Sequence, residues 1–95
     1  MSEENPSTIW KFTLEAADRQ VAYMPRGARI LSVGEQRGDI NVWAIVDPEV
    51  PTEARTFLVL GTGHPAAGAS GATFLGTVQL LGGSLVFHVF EEVAR

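Results

Sequence analysis

No stretch of this chain repeats its apolar residues every three or four positions, and that most constrains what it can fold into. The apolar residues alternate instead. In Thr8-Ile9-Trp10-Lys11-Phe12-Thr13-Leu14, Trp10, Phe12 and Leu14 share one face while Lys11 and Thr13 take the other, the period-two signature of a half-buried strand. Similar short runs recur along the chain, each bounded by Gly, Pro, Asn or Asp. The sequence therefore predicts strands over Thr8–Leu14, Gln20–Met24, Ala28–Gln36, Asp39–Asp47, Thr56–Leu60, Ala72–Leu81 and Ser84–Phe90. Seven short strands spaced about 8–12 residues apart define an all-β fold, a small antiparallel sandwich or barrel.

The punctuation is specific. Pro25-Arg26-Gly27 fits a type II turn, and Arg37-Gly38 links two strands as a hairpin. Gly82-Gly83 reads as a second tight hairpin, and Gly76 marks a bulge within its strand. Asp47–Arg55 is the longest polar connection. Its two prolines argue against an interior strand, and Thr52-Glu53-Ala54 suits one helical turn. Residues 1–7 are polar and acidic and are expected to form a disordered tail, leaving residues 8–92 as a single β domain.

Composition excludes whole classes of function. The 95 residues carry a net charge of −4, with one lysine (Lys11) among seven scattered basic residues. Duplex nucleic acid is thus an improbable partner, because phosphate neutralisation needs a basic surface. Without cysteine there is no disulfide, thiolate metal site or cysteine nucleophile. No apolar run reaches the roughly 18–20 residues that span a bilayer, and the acidic start is unlike a signal peptide. The expected setting is the cytoplasm, with no membrane partner.

Chemistry concentrates at Gly61-Thr62-Gly63-His64-Pro65, directly after an apolar strand. Glycines let a ligand approach the backbone, successive N–H groups can cradle an anion, and Thr62 and His64 add side-chain donors. The competing reading is a structural turn, with His64 extended before Pro65. Neither phosphate fingerprint is complete: no third glycine follows for Gly-x-Gly-x-x-Gly, and no lysine follows Gly68. Arg55, at the start of the same strand, offers planar recognition of phosphate or carboxylate, or an ion pair with Glu53 or Asp47. Trp10 and Trp43 suit core packing, and either ring also suits stacking on a base or other planar ligand. The candidate ligand-binding set is Gly61, Thr62, Gly63, His64, Arg55 and Trp43, with no catalytic, metal or cofactor residue assigned.

Other motifs give less. His88 shares a face with Val86 and Phe90, which suits a core or interface histidine. A zinc site would need His64, His88 and a carboxylate such as Asp47 or Glu91, and the spacing does not support it. Ser70 in Gly68-Ala69-Ser70-Gly71 has its second glycine one place too early for a nucleophile elbow. Arg37-Gly38-Asp39 spells an integrin-recognition tripeptide but serves as hairpin chemistry. An enzyme using His64 as acid/base, oriented by Asp47 or Glu53, is an alternative reading.

Two strands, Ile40–Val46 and Ser84–Phe90, are apolar on both faces. Such strands are central, covered on both sides, or buried between copies, so a homo-oligomer using these faces is expected, most simply a dimer or tetramer.

The strings Ile9-Trp10-Lys11-Phe12, Arg55-Thr56-Phe57, Gly61-Thr62-Gly63-His64-Pro65 and Leu85-Val86-Phe87-His88-Val89-Phe90-Glu91 together resemble a family of small proteins of unknown function from phages, prophages and bacteria. The likeness extends from Thr8 to Glu92. It implies a phage or prophage setting in the host cytoplasm and brings no catalytic residue with it. The function expected is a non-catalytic accessory protein that holds a small anionic, nucleotide-like ligand, with sequestration in counter-defence as its role. A module that engages a host or virion protein, and a small hydrolase using His64, are the alternatives.

Overall fold

The computed structural model describes residues 7–93. The strands are β1 (Thr8–Leu14), β2 (Arg19–Pro25), β3 (Arg29–Gln36), β4 (Asp39–Val46), β5 (Thr52–Gly61), β6 (Thr73–Leu80) and β7 (Leu85–Glu91). They form two antiparallel sheets, one ordered β1-β4-β3 and the other β2-β5-β7-β6. The sheets do not close into a barrel, so of the two expected forms the sandwich is the one observed. Residues 1–6, which hold all but one of the residues of the expected tail, lie outside the described residues.

Alternation builds the core. Leu14 from β1 and Ile40, Val42, Ala44 and Val46 from β4 meet Met24, Phe57, Val59, Val78 and Val89 from the second sheet. Most of these are β-branched or aromatic, which suits a pleated, covered surface. The sheets approach closely where β3 meets β6. A methyl group at Gly76 would lie 2.5 Å from Cγ2 of Val33, so only glycine fits there. The register of β6 against β7 also shifts between Phe74 and Gly76, the bulge that the glycine predicts. A second bulge, between Ile30 and Ser32 in β3, carries no glycine signal.

The turns follow their chemistry. Ala28 N–H donates to Pro25 O at 3.1 Å, with Gly27 at φ 81° in the third position as a type II turn requires. Arg37 and Gly38 both take positive φ, 55° and 84°, and close the β3–β4 hairpin in the primed geometry that matches strand twist.

Three expectations need correction. The polar segment before Thr56 is strand: β5 begins at Thr52, because Thr52–Leu58 pairs with β2 and Arg26 N–H donates to Pro51 O at 2.8 Å. The segment reads as loop in the sequence because its side chains lie at the rim of the sandwich. The Gly82-Gly83 connection is a 3₁₀ turn over Leu81–Gly83 rather than a two-residue hairpin, and it forces Leu81 to φ 53°. Neither tryptophan belongs to the buried cluster between the sheets.

The doubly apolar strands are central in both sheets, β4 between β1 and β3 and β7 between β5 and β6. The second face of β4 is covered by its own neighbours. Asn41 there is 1% exposed, accepting a 2.7 Å hydrogen bond from Thr13 Oγ1 and donating to Asp39 O. The Lys11 ammonium donates to Gln36 Oε1 at 2.7 Å, joining β1 to β3 across β4.

Candidate functional site

β5 is the axis of the site. Phe57 and Val59 point into the core, so Leu58 and Leu60 face the opposite side, yet both are buried. Leu60 lies beneath the Gly61–Ala66 loop, which folds back over the outer face of the four-stranded sheet. The space between loop and sheet is a depression of 260 Å³ lined by Leu60, Gly61, Thr62, Gly63, His64, Ala66, His88 and Phe90. Its floor is apolar, and its rim carries both histidines of the chain.

His88 is held from two sides. Its Nε2 is 2.7 Å from Thr62 Oγ1 and its Nδ1 is 3.0 Å from Thr77 Oγ1. A neutral imidazole needs one acceptor and one donor, and rotatable hydroxyls supply either. The ring thereby ties the loop to both β7 and β6. Thr77 is the residue that sequence reasoning missed. It lies opposite His88, but that pairing appears only once the length of the Leu81–Gly83 turn is known.

His64 packs back against its own loop. A methyl group at Gly61 would sit 2.9 Å from Nδ1 and 3.0 Å from Cε1 of His64, so the imidazole occupies the place of a side chain at position 61. The ring also lines a neighbouring depression of 310 Å³ with Ser84, Leu85, Val86 and Phe87. Two of the loop amides are committed: Thr62 N–H donates to Val86 O and His64 N–H to Gly61 O, each at 3.0 Å. Among the described residues, nothing accepts from Gly63 N–H or bonds to the His64 ring, and no carboxylate reaches either imidazole.

The structure keeps the remaining candidates apart. Arg55 lies on the same strand as Gly61 but about 20 Å away at about 3.3 Å per residue. Its guanidinium forms a two-pronged pair with Glu91, the Nη2 arm at 3.1 Å, and donates from Nη1 to Ala28 O at 2.9 Å, with Glu53 at 3.8 Å. The hydrogen bond to Glu91, opposed by partial burial and assisted by the charges of Glu91 and Glu53, raises the arginine above its ordinary value. Its donors fasten β5 to β7 and to the turn before β3. A cavity of 520 Å³ opens beside it between Glu53, Glu91 and Glu92, a setting that repels an anion. Trp43 stands on the outer face of the other sheet, its ring packed against Gly34. Gly61, Thr62, Gly63 and His64 therefore come together with His88, while Arg55 and Trp43 do not join them.

The family model for a domain of unknown function (DUF7352) matches residues 5–95, and the chain belongs to that family. Neither a curated protein nor a solved structure matches it.

Proposed function

We propose that the protein is a non-catalytic binding module that holds a small anionic, nucleotide-like ligand between the Gly61–Ala66 loop and the outer face of the four-stranded sheet. The observation that carries this reading is the convergence of Gly63, His64 and His88 around a depression floored by Leu60 and Phe90. An apolar floor suits a planar base, while the free Gly63 amide and His64 ring suit an acidic group. Both nitrogens of His88 are engaged by threonine hydroxyls, and His64 lacks an orienting carboxylate, which favours holding a ligand over transforming it. The likeness to small phage and prophage proteins supports a setting in the host cytoplasm, where sequestration of a nucleotide signal would act as counter-defence.

The test is thermal unfolding against inorganic phosphate, nucleoside phosphates and cyclic nucleotides. A ligand at about 100 times its Kd should stabilise the protein by about 2.7 kcal/mol. His64→Ala should abolish that shift without lowering the midpoint of the free protein. Recovery of altered nucleotide would instead identify a hydrolase. Absence of any shift would favour the second reading, a protein-interaction module, for which the exposed Tyr23, Phe74 and Leu85 speak.

A further inference from the structure

β2 ends the four-stranded sheet, and among the described residues no strand pairs with its outer side. Its hydrogen-bond parity is fixed at both ends: Arg26 N–H donates to Pro51 O, and Val59 N–H donates to Asp18 O. In the unbroken register from Arg19↔Leu58 to Pro25↔Thr52, the even-numbered residues bond to β5. The backbone groups of Val21 and Tyr23 consequently point away from the sheet. Their side chains are 48% and 67% exposed. Natural edges are blunted by bulges, prolines or charges; here the charge and the proline stand only at the two ends, Arg19 and Pro25, and leave the edge from Gln20 to Met24 without any of them.

We propose that this edge pairs with β2 of a second copy, antiparallel, about a two-fold axis through Ala22. The register is dictated by the sequence itself. With Ala22 opposite Ala22 of the second copy, Val21 faces Tyr23 and Tyr23 faces Val21, so their outward N–H and C=O groups exchange hydrogen bonds. Val21 against Tyr23 is a β-branched–aromatic pair, a favourable cross-strand combination. Gln20 faces Met24, and Arg19 faces Pro25, whose missing N–H ends the ladder. One step further, Arg26 faces Asp18 at each end. Both are exposed, and within one copy Arg26 makes no side-chain ion pair among the described residues. Shifting the register two residues either way loses both the Val21–Tyr23 and the Arg26–Asp18 matches. The product is a continuous sheet with four strands from each copy, an isologous dimer. It leaves the Gly61–His64 depression free, so it stands independently of the ligand reading.

Light scattering coupled to gel filtration should show a mass twice that of the 10.2 kDa chain, falling towards the single-chain value on dilution. Val21→Pro deletes an N–H that bonds to nothing within one copy, so it should give a single-chain mass at every concentration with unchanged far-UV circular dichroism. The native chain has no cysteine, which makes cross-linking unambiguous. Oxidised Ala22→Cys should yield a covalent dimer, because position 22 faces itself, while Tyr23→Cys should not. A single-chain mass for the wild type, a dimer that survives Val21→Pro, or stronger cross-linking through Tyr23→Cys than through Ala22→Cys would overturn the proposal.

Discussion

At the scale of single residues, the tightest constraint is Gly76. A Cβ there would stand 2.5 Å from Cγ2 of Val33, and Val33 is β-branched and has little rotamer freedom to yield. Gly76→Ala is expected to cost about 1–3 kcal/mol in urea unfolding, and adding Val33→Ala should restore part of the loss. Gly61→Ala meets only the movable His64 ring. It should cost less than about 1 kcal/mol but displace His64, and with it the ligand-dependent thermal shift. Both glycines are plain in the sequence, one as a bulge and one as a loop start. Their partners are not, because Val33 and Gly76 meet only after two sheets have packed. His88 shows the same limit. Alternation puts it beside Val86 and Phe90, yet which hydroxyls hold it depends on the register of β7 against both β5 and β6.

At the scale of elements, alternation made β1 legible, and continuous apolar runs bounded by turn residues made β4 and β7 legible, each to within about a residue. β5 was half hidden. Thr52–Arg55 is polar because it works through pairing and charge: Arg55 reaches Glu91, Ala28 O and Glu53 together. Arg55→Met should destabilise by roughly 1–3 kcal/mol, chiefly by leaving Glu91, 17% exposed, without its partner. The arginine is raised from its ordinary value, so its contribution is complete at every pH below that value and is lost only as strong alkali passes the raised one. Across the neutral range the guanidinium keeps its charge, so the Arg55→Met loss measured by urea unfolding should owe no pH dependence there to the arginine itself. The 3₁₀ connection carries a different cost. Leu81 holds φ 53° while 75% exposed, so its side chain gains little for a left-handed backbone. Leu81→Gly should raise the urea midpoint, with a gain on the order of 1 kcal/mol.

At the scale of the whole molecule, the core cluster draws residues from both sheets, so neither sheet has an interior of its own. Unfolding should therefore be a single cooperative event. The chain carries its own probes for this: Trp10 and Trp43 both lie in the three-stranded sheet and the one tyrosine, Tyr23, in the other. Tryptophan fluorescence and far-UV circular dichroism should trace coincident transitions, and a gap between them would mean that the sheets melt separately. The order of pairing also has a consequence for how the chain emerges during synthesis. β1 pairs with β4 and β2 with β5, so β1 and β2 have no partner until strands well downstream of them have left the ribosome. Only β3–β4 and β6–β7 close locally, and loop-closure entropy favours them as starting points. Until β4 and β5 appear, the nascent chain exposes Trp10, Phe12, Val21 and Tyr23 on unpaired strands, the interval in which it is most open to capture by a chaperone or by another nascent copy.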